Sequence, residues 1–430
     1  VEAGDHLFRR EAGRMVAALT RLFGVHNLAL AEDVVQDALC RALEVWKFRG
    51  MPENPTAWLM ATAKNRALDL LRRERSARTY APELGRLLES EWTLTPLVDE
   101  LFSGPAIQDE QLRMMFSCCH PRLPEDAQVG LILHILCGFG VREIASAFLS
   151  TEGATEKRIS RAKKVLAGSK RLFDLEDARD FPARLSAVQR ALYLLFNEGY
   201  HGACAESAVR IELCQEAMHL SAMLLRHPLA ATPASYALSA LMCLHAARLP
   251  SRVDAAGNLR ALFEQDRSRW DRGLLTEGQR LLDRSASGSE LSEYHLEAAI
   301  AALHSAAAQP QDTPWQEIVS LYDVLLGLHP SPVVALNRAI AVAEHAGPER
   351  GLEEIRAIPD LERLSAYPFY PAALGELELR RGAREVARKH FQTALAVARN
   401  PPERRFLEQR IAQCDTTKGR QDVRAGRQPG

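Results

Sequence analysis

Glu32, Asp33, Gln36 and Asp37 crowd one side of a short stretch, with Val34 inside the same block. Grouped carboxylates of this kind make ionic contacts with a protein partner and no covalent bonds of their own. A second polar set follows: Asn54, Lys64, Asn65, Arg66, Asp69, Arg72 and Arg73. Within it Asn65, Asp69 and Arg72 stand at i, i+4, i+7, flanked by Arg66 and Arg73, a basic row able to reach DNA. A third set holds Arg142, then Thr155, Glu156, Lys157, Arg158, Ser160, Arg161 and Lys164. Its cations Lys157, Arg158, Arg161 and Lys164 recur at i, i+1, i+4, i+7, so one helix face would offer them to phosphate and base edges.

Three helices must carry these sets. The first runs to Trp46, with Val35, Ala38, Leu39, Ala42, Val45 and Trp46 as its apolar stripe. The second opens at Asn54-Pro55, an N-cap residue and a proline at the first helical position, and buries Met60, Ala63, Ala67, Leu70 and Leu71. The third belongs to a helix-turn-helix. Ile144, Ala145 and Phe148 face the core from its first helix, Thr151 caps the second, and Ile159, Ala162 and Leu166 form that helix's buried stripe.

The chain has 430 residues, 47% hydrophobic and 25% charged, an ordinary globular composition whose length suggests more than one domain. Its net charge of −1 conceals a local excess of cations between Arg142 and Arg171. No apolar run approaches the roughly 18 residues of a membrane span, and no signal-peptide pattern opens the chain. The 8 cysteines are scattered with no C-x-x-C pair, which points to reduced thiols and a cytoplasmic setting. Cys118-Cys119-His120 lacks a second ligand pair at zinc spacing, so packing at a helix end is expected there rather than a metal. No cofactor is expected. Alternating strand patterns and hairpin turns are almost absent, so the fold class is all-α.

The block Ala31-Glu32-Asp33-x-x-Gln36-Asp37, the Ala57-Trp58-Leu59 step, and Asn65-Arg66 with Asp69 and Arg72-Arg73 together resemble domain 2 of the extracytoplasmic-function sigma factors of bacterial RNA polymerase. The helix-turn-helix lies where that family carries domain 4. The resemblance implies that Glu32, Asp33, Val34, Gln36 and Asp37 dock on the β′ clamp of core RNA polymerase, with the β flap as a further contact. It also implies that Asn54, Lys64, Asn65, Arg66, Asp69, Arg72 and Arg73 engage the −10 element of promoter DNA, aided by the loop Gly50 to Asn54. Arg142, Thr155, Glu156, Lys157, Arg158, Ser160, Arg161 and Lys164 would engage the −35 element. The recognition helix departs from the common form: Gly153-Ala154-Thr155 stands where many members have Gly-Thr-Val.

A typical member would stop near Phe173. Here two segments, Pro332 to Glu354 and Pro371 to Asn400, look self-similar at about 35 residues, with small residues at helix contacts, a turn glycine and a closing proline, as in tetratricopeptide (TPR) repeats. The strings Cys118-Cys119-His120-Pro121, Phe196-Asn197-Glu198-Gly199-Tyr200, Gln265-Asp266-Arg267-Ser268-Arg269-Trp270-Asp271 and Tyr294-His295-Leu296-Glu297-Ala298-Ala299-Ile300 resemble the subgroup of these sigma factors with a long TPR-like C-terminal extension. The expected organisation is domain 2 over 1–78, a linker over 79–107, domain 4 over 108–173, a helical regulatory solenoid over 174–415 and a disordered tail over 416–430. The solenoid would bind a regulatory protein or ligand. Two other readings stay open. One is a helix-turn-helix activator with a TPR sensor that never joins polymerase. The other is an enzyme built on Glu198, Asp266 and Arg269, although no phosphate loop or nucleophile-base constellation accompanies that group.

Overall fold

The structure, a computed structural model, describes residues 2–74, 102–148, 150–169, 181–201, 209–254, 258–365 and 367–415. Most of the linker expected over 79–107, and the tail over 416–430, lie outside the described residues. The all-α expectation holds: among the described residues the one β feature is an isolated bridge between Val253 and Leu259. No described helix is long and apolar enough to cross a membrane.

The contacts divide the chain into two units, one built from Val1–Phe196 and Gln215–Ala230, the other from Asn197–Cys214 and Ala231–Gly430. The first unit opens with α1 (Glu2–Phe23), α2 (Leu28–Arg49) and α3 (Pro55–Glu74). Met15, Leu19 and Leu22 of α1 close over Ala31, Val34, Val35, Ala38 and Ala42 of α2 and over Leu59, Ala63, Ala67 and Leu71 of α3. The α3 core row is thus centred on residues four apart. Met60 and Leu70, expected in that stripe, stand half-buried at its edge, and Leu59 and Leu68 go inside instead. Leu39, Val45, Trp46 and Phe148 are half-buried for the same reason, at the margins of their stripes.

The helices α4 (Gly104–Cys118), α5 (Glu125–Ile135), α6 (Val141–Ala147) and α7 (Glu152–Ala167) complete a helix-turn-helix with a buried support. Cys118 and Cys119 are buried at the end of α4, and burial pushes both thiols up, so they act as packing groups. Gly13 explains how tightly α1 seats on this support. A Cβ there would lie 2.0 Å from the Leu136 carbonyl oxygen, a backbone atom that cannot swing aside.

Two later helices, α8 (Phe181–His201) and α9 (Ile211–Arg226), contribute their Phe181–Phe196 and Gln215–Arg226 portions to the same unit. Phe181 stacks on Phe116 at 4.7 Å, and Arg184 donates to the Phe116 carbonyl at 2.7 Å. The contacts therefore extend the N-terminal unit beyond the boundary expected after Phe173.

Glu216 on α9 is buried, and one of its carboxylate oxygens has no hydrogen-bond partner. Burial pushes its pKa up to about 7, although Arg10 and Arg14 pull the other way. A raised carboxyl pKa means that the fold favours the protonated form. Ionised Glu216 therefore costs stability, little below the unfolded value near 4.5 and fully above about 7. Glu216→Gln is expected to raise the unfolding temperature at pH 8, with a gain of about 2 kcal/mol, and to lose most of that gain at pH 5. Thermal unfolding of both proteins at the two pH values checks this. An equal gain at both would exclude the buried charge as its source.

The second unit continues with α10 (Pro233–Ala246), the short α11 (Leu249–Arg252), α12 (Arg272–Ser285), α13 (Glu293–Ala306), α14 (Trp315–Leu328), α15 (Pro332–Ala346), α16 (Pro348–Arg356), α17 (Phe369–Arg380), α18 (Arg384–Ala396) and α19 (Pro401–Asp415). Successive helices from α14 onward pack against their neighbours in sequence, as a solenoid requires. The two self-similar segments become the pairs α15–α16 and α17–α18. Their turns need glycine, because Gly347 and Gly382 sit at φ 95° and 83°. Gly375 lets the Phe391 ring approach to within 2.8 Å of where a Cβ would stand. Asn400 then caps α19 by accepting the Glu403 N–H at 2.9 Å.

Candidate nucleic-acid and polymerase interface

Burial sorts the acidic set on α2 into two kinds. Asp33, Gln36 and Asp37 are exposed and Glu32 is half-buried, whereas Val34 is 1% exposed and belongs to the core. Val34 therefore packs beneath the acidic face and is not presented at the surface in this conformation. Two of the carboxylates are also engaged within the unit. Arg66 of α3 grips Asp37, with Nη2 and Nε at 2.9 and 3.0 Å from Oδ2. Lys163 of α7 reaches Glu32 at 2.6 Å, bringing together residues 131 apart in sequence.

On α3, Asn65 and Asp69 are exposed, and Lys64 and Arg66 are half-buried. Asn54 acts as the N-cap, its Oδ1 accepting the Ala57 N–H at 3.0 Å. The side chains of Arg72 and Arg73 lie outside the described residues. Beside α3, the end of α2 presents Leu43, Phe48 and Met51 to solvent, 60%, 84% and 58% exposed. These open apolar side chains stand beside Lys47 and Arg49 in the sequence. Periodicity alone could not single them out, because each of these residues reads as an ordinary stripe member or loop residue.

The recognition helix α7 starts as its sequence demands, Thr151 Oγ1 accepting the Ala154 N–H at 3.3 Å. Ile159, Ala162 and Leu166 face inward, while Glu156, Lys157, Ser160, Arg161 and Lys164 are exposed. Arg142 is exposed on α6. Arg158 is half-buried, 3.9 Å from Asp126. Thr155 departs from expectation. It is fully buried under the helix, four residues before Ile159 on the same inward row, and cannot meet a base edge in this conformation. Lys163 lies outside the expected contact set; its place in the Arg142–Arg171 cationic run is the signal the sequence offers for it.

Burial separates Glu198 from Asp266 and Arg269. Glu198 is buried in α8, whereas Asp266 and Arg269 are exposed. The Asp266 carboxylate accepts from Ser268 N–H and Oγ at 3.0 and 2.6 Å, and those bonds hold it below the usual carboxylate range. It caps a turn. Among the described residues no cluster of His, Cys, Asp and Glu could hold a metal ion.

Family models match at residues 7–77 (Sigma-70 region 2), 113–166 (Sigma-70, region 4) and 184–286 (a family of unknown function, DUF6596). The chain is 40% identical over 396 residues to the uncharacterized protein R00370 of Rhizobium meliloti (strain 1021), covering 92% of each chain. It is 32% identical over 181 residues to the RNA polymerase sigma factor CarQ of Myxococcus xanthus, covering 41% of this chain and 95% of that one. No solved structure matches the chain. An acidic α2 beside a basic α3, a capped helix-turn-helix further along the chain and a match over 95% of CarQ place this chain among the RNA polymerase sigma factors of the extracytoplasmic-function type, with a long helical extension behind the two sigma regions.

Proposed function

We propose that this chain binds core RNA polymerase through the exposed face of α2, with Asp33, Gln36 and Asp37 against the β′ clamp, and directs initiation at its own promoters. The observation that carries this reading is the division of charge between α2 and α7. Carboxylates are exposed on one helix and Lys157, Arg161 and Lys164 on the other, over largely apolar inner faces. The face of α7 addresses the −35 element. Lys157, near the helix start, reads base edges, and Lys164 meets phosphate. Glu156, Ser160 and Arg142 border that surface, and Arg158 joins it once released from Asp126. The β flap is the further polymerase contact.

At the −10 element, Asn65, Arg66, Asp69 and Lys64 of α3 face DNA, and Phe48 with Met51 receives an unstacked base. An exposed aromatic ring is worth about 1–3 kcal/mol per stacked base. Run-off transcription with core polymerase and the full chain tests the whole proposal, with genomic fragments supplying the promoters. The expected result is protein-dependent starts preceded by two shared sequence elements; their absence would overturn the reading. On a promoter so found, Phe48→Ala should lower output about tenfold on duplex template and only about twofold on a pre-melted one. Equal losses on both would assign Phe48 to polymerase contact instead.

The reading also assigns a role to the Lys163–Glu32 pair. A recognition helix bonded to the docking helix shields part of the face that polymerase needs, so the described conformation is the free state and polymerase binding separates the two. The solenoid acts as a built-in regulator of this step. As a tethered element it works at high effective concentration, so a weak interaction suffices.

A further inference from the structure

The second unit holds a group of cations that promoter recognition does not use. Arg248, just after α10, is 7% exposed. Its Nε donates to Gln265 at 3.4 Å, and its guanidinium lies 6.0 and 5.7 Å from the ring centres of Tyr200 and Trp270. Arg252, one turn on, stacks 4.0 Å over Tyr200 and donates to the Tyr200 carbonyl at 3.1 Å. Its Nη2 stands 3.2 Å from His201 Nδ1. Arg267 lies 5.1 Å from Trp270 and donates to the carbonyls of His304, at 2.8 Å, and Ala307, while its Nε has no partner.

No carboxylate among the described residues bonds to any of these three guanidiniums. The nearby acids are committed or remote. Asp254 pairs with Arg260 at 3.1 Å, Glu403 with Arg399 at 2.6 Å, and Asp312 acts on Arg267 only through space. The histidines reflect the imbalance and do nothing to relieve it. Burial and the surrounding arginines hold His245 and His304 below the ordinary imidazole range.

Each arginine has a local structural role as a stacking or capping group, and that explains its orientation. It does not explain the charge. Carbonyls at the ends of α8 and α13 supply about half a negative charge each, against three guanidiniums. A cation out of water costs several kcal/mol unless an anion accompanies it. The group also has an entrance, because Arg252 is half-buried and His201 exposed.

We propose that this cluster binds a small oxyanion, a phosphate or carboxylate group held by Arg248 and Arg252 with His201 beside it, making the region of unknown function a ligand sensor. The inference is independent of how α2 and α7 are used.

The test is titration of the full chain with inorganic phosphate and, separately, with malonate, against sodium chloride at equal ionic strength. Heat of binding and unfolding temperature are the readouts. The expected result is saturable binding of one anion per chain with a rise in unfolding temperature. Arg252→Gln should weaken it at least about tenfold, as loss of a bidentate charged contact does. Stronger binding of phosphate would point to a phosphorylated ligand, stronger binding of malonate to a carboxylic acid. Arg248→Met distinguishes this from scaffolding. With repulsion relieved, the ligand-free variant should unfold no lower than the parent while losing the response to anion. No saturable effect beyond chloride, or a full response in both variants, would overturn the proposal.

Discussion

Replacing Asp33 and Asp37 together by lysine is expected to reduce the affinity of the full chain for core RNA polymerase by about two orders of magnitude. Reversing charges in an interface loses the attraction and adds repulsion, together several kcal/mol, and each 1.4 kcal/mol is about tenfold. The fold should tolerate the change. Asp33 is exposed, and the Asp37–Arg66 pair is an exposed one, 57% and 39% open at the two side chains, worth ~1 kcal/mol at most. Arg66→Gln serves as the control, since it removes the same pair and keeps the acidic face. Titration of labelled protein with core polymerase measures both. Unchanged affinity in the double variant, with helical circular dichroism intact, would remove α2 as the docking helix.

Lys163→Glu is expected to act in the opposite direction, raising polymerase affinity about fivefold. The 2.6 Å bond to Glu32 joins two side chains only 27% and 23% exposed, so its loss and the new repulsion weaken the closed arrangement by ~1 kcal/mol. Fluorescent labels at the exposed Cys40 and at Arg161→Cys report the separation directly. Adding Glu32→Lys to Lys163→Glu should restore the closed distance and bring polymerase affinity below that of the parent, because the swap rebuilds the ion pair but not the acidic face. An open distance with unchanged polymerase affinity would keep the closure and deny that it shields the docking face. An unchanged distance would deny the closure itself. Gly13→Leu offers an independent wedge, since its side chain would strike the Leu136 carbonyl.

The sequence by itself determined what depends on neighbours within a few turns. Helical stripes such as Ile159, Ala162 and Leu166, the Thr151 and Asn54 caps and the glycine turns of the solenoid follow from local geometry, because i, i+3 and i+4 spacing and φ preference are properties of short segments. The same locality made the charged faces of α2, α3 and α7 readable as surfaces. It did not tell which members of a row point fully inward. Thr155 and Val34 looked like parts of polar faces, and Met60 and Leu70 like core, because a stripe's centre is fixed by the helix packed on it. Only the tertiary structure decided contacts between distant segments. Lys163 meets Glu32 across 131 residues, Arg184 caps Phe116 across 68, and Arg248, Arg252 and Arg267 converge on Tyr200 and Trp270 from separate helices and turns. Such pairings depend on how whole helices pack, and no spacing rule along a single segment encodes that.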